Sequence, residues 1–192
     1  MIAAFTRGPE NTVQVEFPAL DARTLSGLFG ELGAMIDAEL AEQGGPQPPD
    51  PLAEQLGLTG LGSGSTPGRP RDPAIARLFP DAYPEDAQAS AEFRRFTQAD
   101  LGSMRRRRIE VTRASLERIP RGGRLVLDAG EAAAWLGALN DLRLVLGSRL
   151  EITADGQEPG ESLAPDDPRH AHVPVYYYLG YLEETLVEAL GG

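Results

Sequence analysis

At 192 residues the chain can hold one domain with a full core, or one domain carrying an insertion. Its formal net charge of -11 works against nonspecific attraction to nucleic acid or an anionic membrane, although it leaves room for a local basic patch. There is no cysteine, which excludes disulfides, thiolate metal sites and a cysteine redox switch within these residues.

Ile2 to Arg7 and Thr12 to Phe17 are two short runs separated by Gly8-Pro9-Glu10-Asn11. In the second, Val13, Val15 and Phe17 alternate with polar residues, the period-2 pattern of a half-buried strand, so a hairpin is predicted. The opening Met1 to Phe5 is too short for the apolar region of a signal peptide, and no apolar run reaches the roughly 18 residues of a membrane span. Cytoplasm is therefore the expected location, with no membrane contact.

From Leu20 to Ala41 apolar residues recur every three or four positions, which predicts a helix. Gly27, Gly30 and Gly33 weaken that helix, and close approach of a neighbouring helix is the expected reason for keeping them. Residues 43–72 are rich in Pro, Gly and Ser and read as a disordered insertion in an otherwise single domain over residues 1–192. Asp72-Pro73 has the form of an N-cap followed by proline at the first helical position, opening a short helix to Phe79.

A long helix is predicted over Glu85–Ile119, with a candidate interruption at Gly102-Ser103. Phe93, Phe96, Leu101, Met104 and Val111 share one side of it. Arg105, Arg106, Arg107 and Arg108 cover every side at once, and with Arg113 they form the candidate contact for DNA or an acidic partner. The competing reading is a solvated surface that neutralises the chain's own carboxylates.

Arg124 to Asp128 reads as a third strand, followed by the best-marked helix, Ala129 to about Leu150. Asp128 and Glu131 have capping-box spacing. Trp135, Ala138, Leu139, Leu142, Val145, Leu146 and Leu150 share one broad face, with Leu136 extending it and Leu144 nearly opposite, so this helix is expected to be central. A polar loop follows. It contains His170 and His172, whose spacing matches no strong zinc motif, and no metal or cofactor is expected. The last helix, about Pro174 to Leu190, carries its apolar residues on one face. Tyr176, Tyr177, Tyr178 and Tyr181 surround it, as a partner surface or as the edge of the core.

Two charges fall inside these apolar arcs: Arg149 on the central helix, with Arg143 at the arc's edge, and Glu183 on the last helix. A lone buried charge is costly, which predicts a partly buried pair between Glu183 and Arg143 or Arg149, with Asn140 and Asp141 extending the network. The pair either fixes helix register or forms a ligand site. The sequence holds no nucleophile elbow, no His-Glu-x-x-His motif and no glycine-rich phosphate loop.

Several stretches together resemble an actinobacterial family of uncharacterised proteins, often encoded beside the ClpS protease adaptor. They are Arg71-Asp-Pro-Ala74, Leu78-Phe-Pro-Asp-Ala-Tyr-Pro84, Glu92-Phe-Arg-Arg-Phe-Thr97, the run from Trp135 to Leu150 with Asn140-Asp141-Leu142-Arg143 at its centre, and the run from Tyr181 to Leu190. Some members are described as AosR-type oxidative-stress transcription regulators. The resemblance implies a regulator that acts with the transcription machinery, switched by a cysteine pair, and this chain has no cysteine with which to build that switch.

The expected fold is α+β and mostly α: a helical bundle with a small antiparallel sheet made from the N-terminal hairpin and one later strand. The expected function is that of a non-enzymatic regulatory or adaptor protein that binds protein, with DNA as a further candidate partner through the basic strip. Apolar surface on the long and last helices would also suit a homodimer. The alternative is a small-molecule- or metal-dependent enzyme using Arg143, Arg149 and Glu183.

Overall fold

The computed structural model describes residues 2–43, 68–153 and 156–191. Strand β1 (Thr6–Arg7) pairs antiparallel with β2 (Val13–Phe17), and β3 (Gly123–Leu127) pairs antiparallel along the other edge of β2. The register sets Val13 opposite Leu127 and Phe17 opposite Gly123. The helices are α1 (Ala19–Gln43), α2 (Pro73–Ala76), α3 (Ala87–Glu117), α4 (Ala129–Arg149) and α5 (Val173–Gly191). This is the mostly helical α+β architecture that the sequence predicts, with α4 flanked by α3 and α5.

The hairpin follows its alternation: Val13, Val15 and Phe17 are buried, while Glu16 faces water. Its first strand is shorter than the apolar run suggests. Ala3 and Phe5 are buried, but the Phe5 amide donates to Thr185 Oγ1 at 3.2 Å, so this stretch bonds to α5 instead of extending the ladder. The turn into β3 requires glycine. Gly122 has φ +78°, and a Cβ there would lie 2.5 Å from the Ala19 amide nitrogen.

Helix α4 begins where its capping box places it. The Glu131 amide donates to Asp128 Oδ1 at 2.8 Å, and the Asp128 amide donates to the Glu131 carboxylate at 3.2 Å. Asp128 is thereby taken out of β3 and becomes the cap. Trp135, Ala138, Leu139, Leu142, Val145, Leu146 and Leu150 are all buried, and Leu144 is partly exposed. Trp135 is the centre of the core. Its ring stacks on Phe17 at 5.6 Å and meets the edges of Phe5 and Phe29 at 5.5 and 5.8 Å, while its indole N–H donates to Ser115 Oγ at 2.8 Å. The aromatic area is thus buried without leaving the indole donor unpaired.

Helix α3 decides two points that the sequence left open. It runs unbroken through Gly102-Ser103, because Gly102 gives way to Leu40 of α1: a Cβ at that position would sit 2.7 Å from a Leu40 methyl. Its buried residues are Ser90, Gln98, Gly102, Ile109, Thr112, Ser115 and Leu116, whereas Phe93, Phe96 and Met104 are exposed, Phe96 at 72%. The aromatic side is therefore the outer side, and small or polar residues let the helix lie close against α1 and α4. At the far end of the predicted insertion, Pro70 is buried and Asp72 caps α2, so residues 68–72 belong to the folded part. At its near end Gln43 still belongs to α1, and residues 44–67 of the predicted insertion lie outside the described residues.

Candidate functional site

Helix α4 sends three charged side chains to three different neighbours. Asp141, only 1% exposed, accepts from Arg105 of α3. Arg143 bonds to Glu183 of α5. Arg149 bonds to Asp72, the residue whose other carboxylate oxygen caps α2 at 2.9 Å. The single cluster of Arg143, Arg149, Glu183, Asn140 and Asp141 expected from the helix wheels is therefore divided. Arg149 lies at the C-terminal end of α4, where it meets α2 and not Glu183. Asn140 points out to solvent, next to the buried Asp141 that turns the other way.

The Asp141 site is almost dry. Arg105 reaches past the carboxylate to donate to the Leu78 carbonyl at 2.7 Å, and its guanidinium lies 5.7 Å from the centre of the Phe79 ring. Asp141 Oδ2 and Arg105 Nε are buried with no hydrogen-bond partner. Burial pushes the Asp141 carboxyl above its ordinary range, against the opposing pull of Arg105 and Arg108. The Arg143 site is wetter. Its guanidinium lies 5.3 Å from the centre of the Tyr176 ring. Burial works against its charge, but Glu183 and Tyr176 more than offset this and raise its pKa.

The arginine run proposed as a nucleic-acid contact is directed mostly inward. Arg105 is committed to Asp141, and Arg106 bonds to Asp37 of α1 at 2.6 Å. Arg108 lies over Gly137 of α4, where a Cβ would come within 2.7 Å of its side chain. Arg107 and Arg113 are the exposed members of the set. Helices α1 and α4 pack on α3, and its exposed arginines lie on the sides that these contacts leave open.

In the loop before α5, Arg169 grips Asp167, whose carboxyl pKa its hydrogen bonds lower to about 2, and it also bonds to Glu151 at 2.8 Å. A ring nitrogen of His170 lies 3.0 Å from the Ala164 carbonyl, and His172 faces solvent. The tyrosines of α5 split between roles. Tyr178 donates to Asp21 of α1 at 2.8 Å, and burial raises its phenol pKa. Tyr176 lies under Arg143, Tyr177 bonds to Glu158, and Tyr181 is exposed.

Sequence reasoning missed a hollow between the α2 region and α4. It has a volume of about 1110 Å³ and includes Arg69, Arg71, Arg77, Leu144 and Ser148 in its walls. A second hollow of about 360 Å³, lined by Arg143, Asn140 and Tyr176 among others, shares Arg77, Leu144, Ser148 and Thr153 with it. One signal was legible: Leu144, opposite the apolar arc of α4, is an aliphatic residue with no place in the core.

Residues 2–190 match the family described as "Domain of unknown function (DUF2017)", and the chain belongs to that family. Among curated relatives it is similar to "Oxidative stress regulator AosR" of Mycobacterium tuberculosis (strain ATCC 25618 / H37Rv). The two are 34% identical over 183 residues, covering 90% of this chain and 79% of the relative. The protein of the same name from Mycobacterium bovis is similar to the same extent. No solved structure matches the chain. Among the described residues, no helix is long and apolar enough to cross a membrane.

Proposed function

We propose that this protein is a non-enzymatic regulatory or adaptor protein that acts by binding other proteins, with transcription under oxidative stress as the process it regulates. The observation that carries this reading is the 34% identity, across 90% of the chain, to proteins named as oxidative stress regulators. The arrangement of charges supports binding over catalysis. Asp141, Arg143, Arg149 and Glu183 are each consumed in contacts between elements and do not converge on one space where a substrate atom could meet an acid and a base. The inward direction of Arg105, Arg106 and Arg108 favours protein over DNA as the partner. With no cysteine in these 192 residues, we take the oxidant signal to reach the protein through its partner and not through a thiol of its own.

The test is deletion of the gene in its host, followed by transcript profiling before and after a peroxide pulse. The expected result is an altered set of peroxide-responsive transcripts, restored by the wild-type gene. An unchanged response would remove the proposed role.

A further inference from the structure

The hollow between the α2 region and α4 has features that the helix-joining ion pairs lack. Its acidic wall residues are already neutralised: Asp81 bonds to Arg94 and lies 3.9 Å from Arg69, and Glu151 bonds to Arg169 at 2.8 Å. Its cationic wall is not. Arg71 and Arg77 are exposed, and among the described residues neither has an ion pair or hydrogen bond. On a chain with net charge -11, the concave surface that the described residues form has positive charge not compensated within it. Exposed guanidinium groups suit carboxylate recognition, because each presents a fork of donors matched to two oxygens.

The shape narrows the occupant. The hollow is open and, at about 1110 Å³, has room for several side chains of a bound chain. Four prolines and the exposed Leu144 lie in the walls beside the arginines. Such a surface fits an extended chain that offers carboxylates to the arginines and an aliphatic side chain to Leu144.

We propose that this hollow is the docking site for an acidic peptide segment of the regulated partner, with Arg71 and Arg77 as the residues that recognise its carboxylates. The proposal rests on the protein-binding reading above and names the surface and the chemistry through which binding occurs.

The experiment is fluorescence anisotropy of the full chain with a labelled synthetic peptide in which Asp and Glu alternate with Leu and Pro. A matched peptide carrying Asn and Gln in place of the acids is the control. The acidic peptide should bind, weaken as salt is raised, and lose roughly tenfold or more in affinity to the Arg71→Gln/Arg77→Gln variant. The exposed-arginine variant Arg107→Gln should bind as the wild type does. Thermal melting checks that the double variant folds, and Arg77→Gln alone gives the intermediate loss if it does not. Equal binding of the neutral peptide, an unaffected double variant, or no binding at all would overturn the proposal. So would a DNA duplex that binds through the same two arginines while the peptide is inert. Complementation separates the two readings: if the double variant restores the peroxide response in full, the docking site fails and the regulatory role stands. If deletion has no effect on transcripts, the regulatory role fails, whatever the peptide does.

Discussion

The α3–α4 and α4–α5 contacts are each joined by an arginine–carboxylate pair, yet the two pairs have different surroundings. Between α3 and α4, Asp141 is sealed from water, and Arg105 gives a further donor to the Leu78 backbone carbonyl in the turn after α2. Between α4 and α5, the side chains of Arg143 and Glu183 keep 32% and 17% of their exposure. Water reaches both charges of the second contact, but in the first it does not reach Asp141. The same chemical pair is therefore a structural necessity in one place and a modest contributor in the other.

Mutation of each pair tests this contrast. Arg105→Ala strands the Asp141 carboxylate in a dry site and should cost about 3–5 kcal/mol in urea unfolding. The double change Arg105→Met with Asp141→Leu should recover much of that loss, since no uncompensated charge remains. The Asp141 site also predicts a pH effect. Its pKa is raised in the folded state, chiefly by burial, so folding takes up a proton in the window between the unfolded and folded values. Stability contributed by this group therefore falls as pH rises through that window. Asp141→Asn should remove that slope, which is read from the difference between the two proteins' unfolding free energies across the weakly acidic range. Next in size, Glu183→Ala should cost about 1–2 kcal/mol, because Arg143 keeps access to water and its place over Tyr176. A loss as large as that of Arg105→Ala would erase the distinction between the two contacts. Smallest is Arg149→Ala. Its bond to Asp72 is largely exposed, so a loss under about 1 kcal/mol is expected from the same titration.

These two contacts also show what could be read from sequence. The start and buried face of α4 were legible because the capping box and apolar arc are local: Asp128 needs only Glu131, and Trp135 needs only its own helix's periodicity. The face of α3 was not. That Phe93, Phe96 and Met104 share one side does not say which side packs, and Gly102, Thr112 and Ser115 permit a closer approach of neighbouring helices than aromatics would. Partner choice for the arginines depended on the stagger of whole helices, which no local pattern encodes. Arg149 lies on the apolar arc of its helix wheel yet meets Asp72, 77 positions earlier in the chain. The hollow was hidden for the same reason, since its walls come from Arg69 to Pro84 on one side and Leu144, Ser148, Glu151, Thr153 and Ser162 on the other and exist only once α2 has docked on α4.

The aromatic nest at the heart of the bundle gives the protein an internal optical reporter. Trp135 is the chain's single tryptophan, held in an apolar enclosure with its N–H tied to one hydroxyl. Its emission comes from one environment, shifted to the blue while the core is closed and moving to the red when solvent enters. Every loosening of α4 against the sheet or against α3 can therefore be followed by intrinsic fluorescence in the unlabelled protein.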